Sequence, residues 1–345
     1  MNPSITIVFV VFNRRDELRT SLREMLLESD YEGEIDAIVV DNASSDGSAE
    51  MVRSEFPQVQ LIVRDENIGA PAWNDGFARA QGDWVLISDD DCYLPRDGFR
   101  RAMAAAREHR ADLVSFRVVS TYDPGLVFTD NYRTGLFSFW GCSALFRREV
   151  IQELGGYDPE LFIWGNELEL TMRFYDRGYR HLHMPEIEAQ HMKPPSSSAW
   201  YDLNGPGYRT NARHWAYVAG KLLQPRDSAG AMVALSARIV RDAMRDDLRA
   251  LKALPETFGG FARGLRLRQP IRSEVSRFYR RNFETFASPW WLMRPPSKLI
   301  RALPGEIARG RVRKDRRPKG IGRREEYFEK RAGLYPRDER EVLQL

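Results

Sequence analysis

Apolar runs at residues 5–12, 35–41, 60–64, 84–89 and 113–119 alternate with stretches of helical periodicity. Short, nearly continuous apolar runs separated by amphipathic helices predict a twisted, mostly parallel sheet with helices on both faces. Leu18, Leu22, Met25 and Leu26 recur at helical spacing between the first two runs and predict one core-facing stripe. From about residue 120 the pattern becomes irregular. Asp123-Pro124-Gly125 reads as a turn, and Phe137-Ser138-Phe139-Trp140-Gly141 reads as the start of another strand. Pro194-Pro195-Ser196-Ser197-Ser198 reads as a flexible joint. Beyond it Met232, Leu235, Ile239, Ala243 and Leu248 repeat at three- to five-residue steps, which predicts a helical C-terminal region. The expected organisation is one α/β domain over residues 1–200 and a helical, basic extension over residues 201–345.

Charge divides the chain at the same place. The net charge of +3 combines 20 Lys and Arg against 33 Asp and Glu in residues 1–200 with 32 against 16 in residues 201–345, so two functional regions are expected. Cys92 and Cys142 are the only cysteines. Neither a disulfide framework nor a cysteine-based zinc site is supported, and a reducing, cytoplasmic setting fits. The opening apolar run is too short to span a bilayer, which takes about 20 residues.

The second, third and fourth apolar segments lead into the candidate chemistry. Residues 84–88 are closed by Asp89, Asp90 and Asp91. Three adjacent like charges are costly unless a cation shares them, and a divalent metal at the carboxyl end of a buried strand would favour a phosphate-bearing substrate. A charged turn that stops a strand is the plain alternative. The second strand ends in Val39-Val40-Asp41-Asn42-Ala43-Ser44-Ser45-Asp46-Gly47, and a loop Glu66-Asn67-Ile68-Gly69-Ala70-Pro71-Ala72-Trp73-Asn74-Asp75-Gly76 enters a helix. Each alone is compatible with ordinary turn and cap chemistry.

In this order, these segments and the opening strand into Phe12-Asn13-Arg14 resemble inverting glycosyltransferases of family 2, which have the GT-A (Rossmann-like) fold. The resemblance extends through Gly155-Gly156-Tyr157-Asp158 and Gly165-Asn166-Glu167-Leu168-Glu169-Leu170. It implies that Asp41 pairs with the edge of the donor's pyrimidine base, that Phe12 and Asn13 line the nucleoside pocket, and that Asn67, Gly69 and Asn74 belong to the donor loop. Asp89, Asp90 and Asp91 would serve the ribose side and a Mn²⁺ or Mg²⁺ ion, with Asp91 as the foremost ligand beside Asp89. A histidine some two dozen residues past the catalytic carboxylate often completes such a metal site. His191 lies 24 residues past Glu167, although a strand-end histidine can simply cap a carbonyl and His181 and His183 compete for the role.

Helix geometry bears on which carboxylate is the base. With Asn166 as N-cap, Glu169 falls at the capping-box position and within reach of Arg173 one turn on, while Gly178 stops the helix. Glu167 points about 200° around the helix from Glu169. Glu167 is therefore assigned as the base, and Glu169 remains the alternative. The Asn166-Glu167 pair departs from the family's commoner Glu-Asp, and a catalytically inactive nucleotide-sugar-binding or assembly protein is the competing reading. Trp164 could stack on a sugar face.

Residues 204–215 resemble a Tyr-…-Arg-Asn-Arg helix that follows the core in bacterial rhamnosyltransferase-like members. Arg209 and Arg213, one turn apart, could fork a phosphate, or be a solvated face with ordinary ion pairs. Phe278-Tyr279-Arg280-Arg281, Pro289-Trp290-Trp291-Leu292-Met293-Arg294 and the nine basic residues between Arg309 and Arg324 suit either peripheral contact with an anionic membrane or a helical bundle with a solvated or oligomer face; the bundle is the plainer reading. No recognition motif accompanies the charge, so nucleic acid is not an expected partner. The function expected is metal-dependent, inverting transfer of a sugar from a UDP or dTDP donor to a hydroxyl of a glycan, lipid-linked or small-molecule acceptor.

Overall fold

The computed structural model of the chain describes residues 2–122, 127, 138–192, 206–245 and 247–287. The described residues fall into two compact units, one within residues 2–192 and one within residues 206–287. The expected turn at residues 123–125, the joint at 194–198 and the aromatic and basic segments from residue 289 onward lie outside the described residues.

Among its described residues the first unit forms an eight-stranded sheet. Its strands are β1 (Ile5–Val11), β2 (Ile35–Asp41), β3 (Gln60–Val63), β4 (Trp84–Asp89), β5 (Cys92–Tyr93), β6 (Leu113–Ser120), β7 (Ser143–Arg147) and β8 (His181–His191), in the order β3-β2-β1-β4-β7-β6-β8-β5. β1 is buried at every position because helices cover both faces. Leu18, Leu22 and Met25 of α1 (Arg15–Leu26) are buried in that core, and Leu26 packs against it. The apolar run around Phe139 does not start the next strand. Gly141 and Cys142 form a turn and β7 begins at Ser143.

Strand direction decides where the chemistry gathers. β1 pairs in parallel with β2 and with β4, in registers that set Val11 beside Asp41 and Val10 beside Asp89. β7 is antiparallel to both β4 and β6, and β6 is parallel to β8. The carboxyl ends of β1, β2, β4 and β8 therefore share one edge, bringing Asn13, Asp41, Asp89 and His191 to the same rim. Between β6 and β8 the pairing jumps from Phe116–Met184 to Arg117–Glu188. Pro185-Glu186-Ile187 bulge out, as a proline inside a strand requires, and the remaining residues run on to His191.

A buried polar group joins these two strands. Ser115 Oγ lies 2.8 Å from His181 Nε2 and 2.9 Å from His183 Nδ1, and the Tyr175 hydroxyl lies 2.9 Å from His181 Nδ1. Burial holds His181 well below the ordinary imidazole range and His183 at about 4. An unfolded imidazole titrates near 6.5, so below that pH the unfolded chain binds more protons and stability falls as pH drops toward 4. His183 alone should remove about 2 kcal/mol between pH 7 and pH 5. Denaturant titrations at the two pH values should show this loss, and His183→Gln should reduce it.

The second unit is helical: α7 (Pro206–Leu222), α8 (Pro225–Arg245), α9 (Ala253–Arg266) and α10 (Ser273–Ala287) are linked in part by a 3₁₀ turn, Leu248–Lys252. α7 and α9 cross backbone to backbone. A Cβ at Gly260 would sit 2.2 Å from the Arg213 carbonyl oxygen, and one at Gly264 2.2 Å from that of Tyr217. Met232, Leu235, Ile239 and Ala243 are buried as the periodicity predicts, whereas Leu248 is exposed because α8 ends at Arg245. Phe278 and Tyr279 are buried and Arg280 pairs with Asp227 at 3.2 Å, so this aromatic and basic cluster packs the bundle. None of the described helices is long and apolar enough to cross a membrane.

Candidate active site

β4 delivers Asp89 to the rim and the tight turn into β5 carries Asp90 and Asp91. The pairing of Cys92 with His191 brings β8's last residue alongside. One ligand atom each of Asp89, Asp91 and His191 lies within 4.8 Å of the others, and among the described residues this is the one such grouping of acidic, histidine and cysteine side chains. His191 Nε2 is 3.1 Å from Asp91 Oδ1. Arg14 ion-pairs with Asp91 Oδ2 and reaches within 3.5 Å of Asp90 Oδ1.

The two buried aspartates respond differently to this setting. At Asp90, burial and the charge of Asp91 drive the pKa well above the carboxylate range. At Asp91, burial pushes up as well but is outweighed by the hydrogen bond and charge of His191 and by Arg14, so its pKa falls. Asp91 is thus the ionised member of the pair. Two carboxylates and an imidazole form a donor set suited to a hard or borderline divalent cation, so the residues present fit such an ion.

Asp41, at the tip of β2, is buried. Its Oδ1 accepts the Ser44 N–H at 2.7 Å, while Oδ2 has no hydrogen-bond partner among the described residues. A buried acceptor left unmatched is costly by about 1–3 kcal/mol, which points to a donor supplied by a ligand. Asn13, in the left-handed region at φ 54°, donates its N–H to Ser44 Oγ at 3.0 Å and accepts the Ser45 N–H at 2.7 Å. Phe12 beside it is exposed.

The other residues expected to touch the donor hold one another in place. Asn67 Oδ1 accepts from Asn42 Nδ2 at 2.8 Å and from the Gly69 N–H at 2.9 Å. Asn42 Oδ1 accepts the Ile68 N–H at 3.1 Å, so Asn42, to which the sequence reading gave no role, holds the whole loop. Gly69 has φ 69°, and a Cβ there would lie 2.0 Å from the Phe162 carbonyl oxygen, which accepts the Ala70 N–H at 2.7 Å. Asn74 uses both amide atoms on Tyr157, donating to its carbonyl and accepting its N–H, each at 2.8 Å. These contacts dock the 66–76 loop against the segment leading to Glu167.

That segment enters α6 (Asn166–Asp176), which follows α5 (Arg148–Leu154). The N-cap is Gly165 at φ 84°, one residue before the expected Asn166, and no side chain caps the helix. The capping box is therefore absent. Glu169 is instead fully buried and gripped by Arg173, whose Nε lies 2.9 Å from both carboxylate oxygens and whose second nitrogen lies 2.6 Å from Oε2. Arg173 also donates to the Gly156 carbonyl at 2.7 Å. These contacts tie Glu169 to its own helix and to the Gly156 turn.

Glu167 sits in a different environment. Burial, and then the charge of Asp89, push its pKa up to about 7, against the opposing hydrogen bonds from its own and the Gly141 N–H. Gly141 is the residue that sequence reasoning placed inside a strand. A Cβ there would fall 2.7 Å from Glu167 Oε1. Gly141→Ala should therefore displace the carboxylate while the fold persists, since the obstructed atom is the end of a flexible chain. The expected outcome is a kcat loss of roughly tenfold to a hundredfold with an unchanged melting temperature, read from steady-state kinetics and calorimetry on the same preparation.

Trp164 precedes the helix at φ 62°, half-buried, with Phe162 and Ile163 exposed before it. In the helical unit Arg209 pairs with Glu256 at 3.2 Å, and Arg213 lies 3.3 Å from His214 Nε2. Arg209 is therefore ion-paired, whereas the contact of Arg213 is with an imidazole and not with a carboxylate.

Residues 6–155 match the family described as Glycosyl transferase family 2. Glycosyltransferase AglE of Haloferax volcanii is 24% identical over 192 residues, 51% of this chain and 63% of that protein. Probable glycosyltransferase YdaM of Bacillus subtilis is 24% identical over 225 residues, 58% of this chain and 53% of that protein. The chain thus spans less than two thirds of the length of both relatives. Among solved structures, S. aureus TarS 1–349 in complex with UDP-GlcNAc superposes with a TM-score of 0.55 at 16% identity, covering 84% of this chain and 92% of that one. A mannosyltransferase, PcManGT from Pyrobaculum calidifontis in complex with GDP-Man and Mn²⁺, gives 0.51 at 19% identity, covering 90% and 85%. At these identities the likeness is one of fold.

Proposed function

We propose, from the match of residues 6–155 to glycosyl transferase family 2 and the GT-A-like fold, that this chain transfers a sugar, with inversion, from a UDP or dTDP donor to a hydroxyl acceptor. The observation that carries the reading is the pairing, at one sheet rim, of the Asp89–Asp91–His191 grouping with a carboxylate whose pKa is raised to about 7. A group poised near neutral pH is suited to taking a proton from an alcohol.

In this reading the acceptor oxygen attacks the anomeric carbon as its proton passes to Glu167. The bond from that carbon to the diphosphate oxygen breaks, and the electron pair leaves with the nucleoside diphosphate. Attack from the opposite face inverts the configuration. A Mn²⁺ or Mg²⁺ ion held by Asp89, Asp91 and His191 would neutralise charge on the diphosphate. Asp41 Oδ2 accepts the ring N–H that uracil and thymine share, and Asn13 and Phe12 bound the nucleoside. Arg14, already on Asp90 and Asp91, adds a second positive charge at the same place.

A thermal-shift panel of UDP-, dTDP- and GDP-sugars, each with and without Mn²⁺, tests the proposal. A UDP- or dTDP-sugar should raise the melting temperature in the presence of the ion, and Asp41→Ala should abolish that rise. Stabilisation by GDP-sugars alone, or by no nucleotide under any condition, would count against the donor assignment.

A further inference from the structure

Helix α8 has two apolar faces. One, carrying Met232, Leu235, Ile239 and Ala243, is buried in its own unit. The other carries Ala229, Val233, Ala237, Val240 and Met244, all exposed, with Val233 at 71% and Met244 at 78%. The steps of four, four, three and four residues keep these positions within one strip of the helix surface. A solvated helix normally presents charged residues there, so the strip marks a contact surface.

Its sequence is close to self-complementary when reversed. Laid antiparallel on a copy of itself about a two-fold axis near Ala237, Ala229 meets Met244 and Val233 meets Val240, small against large and equal against equal. Ala237 meets its own copy at the centre, where a small residue allows close approach. Charge follows the same order. Arg226, exposed and in line with the strip, falls beside the other copy's helix C-terminus, the negative end of the helix dipole. Antiparallel helix dipoles add to this.

We propose that the exposed face of α8 is a homodimer interface, formed by antiparallel pairing with its counterpart on a second copy of this chain. One helix strip is small beside a standard interface, so the dimer is weak. It is independent of the transferase reading, because none of its residues belongs to the Asp89–Asp91–His191 or Glu167 sites.

Sedimentation of the full chain from about 1 to about 100 µM, the range in which weak dimers dissociate, tests this. The wild type should pass from monomer to dimer with rising concentration. Ala237→Glu and Ala237→Arg each set like charges against each other on the axis and should raise Kd at least about tenfold, with unchanged melting temperature because Ala237 is exposed. An equimolar mixture of the two variants should recover the dimer, which a merely damaged surface would not do. A wild type that stays monomeric throughout overturns the proposal. So do variants that dimerise as the wild type does.

Discussion

Glu167→Gln should lower kcat by about 10²–10⁴ while donor binding stays close to normal. The substitution keeps the shape of the side chain and removes only its capacity to take a proton, so an interaction made in the transition state is lost and ground-state binding is not. The base works ionised. The wild-type rate should therefore fall as pH drops through the region near 7 set by burial and by Asp89, and a cation beside Asp89 should move that limb to lower pH by offsetting the repulsion. In Glu167→Gln the limb should vanish. A carboxylate whose folded pKa exceeds its unfolded value destabilises the fold once pH rises past the unfolded value, so the variant should melt slightly higher than wild type above pH 7. Glu169→Gln gives the opposite pattern. Removing one partner of its buried pair with Arg173 should cost about 3–5 kcal/mol and show first as a lower melting temperature. Normal turnover in Glu167→Gln, with a severe and purely kinetic defect in Glu169→Gln, would exchange the two roles.

Asp91→Asn should weaken Mn²⁺ binding by at least about 100-fold, a loss larger than that from altering a group that merely orients a ligand. Asp91 is the ionised, buried carboxylate of the cluster and touches both His191 and Arg14. No neighbour can replace it: the pKa of Asp90 is driven upward by burial and its main-chain carbonyl accepts from Ser21 Oγ at 2.9 Å. Titration of free Mn²⁺ by electron paramagnetic resonance, without any nucleotide, measures this directly. His191→Ala should weaken the ion less, since two carboxylates remain. Unaltered Mn²⁺ affinity in Asp91→Asn would remove the cluster from consideration as a metal site.

The strands were legible because burial on both faces writes itself as continuous apolar sequence: residues 5–12 and 60–64 became Ile5–Val11 and Gln60–Val63, one residue shorter each. The Asp89–Asp91 turn was legible for a related reason, since three polar carboxylates end the apolar run where the buried strand ends. The pairing of Glu169 with Arg173 followed from helical spacing. What local sequence could not show depended on distant chain. Asn42 is an ordinary turn residue until the 66–76 loop folds onto it. Gly141 sits in an aromatic stretch that resembles a strand, and only the arrival of Glu167 reveals why a side chain there would intrude. The cap of α6 moved by one residue because Gly165 takes a left-handed conformation, which gave the helix its start without a side-chain oxygen. The bulge at Pro185-Glu186-Ile187 has no local signature beyond the proline, yet it sets how β8 runs to His191.

Anomalous diffraction from a crystal of the chain soaked with Mn²⁺ and a UDP- or dTDP-sugar tests the central claim most directly. The account predicts one strong manganese peak in contact with Asp91 and His191, the diphosphate against it, the base at Asp41 Oδ2, and the anomeric carbon facing Glu167. A nucleotide bound elsewhere, with no peak at that rim, would contradict it.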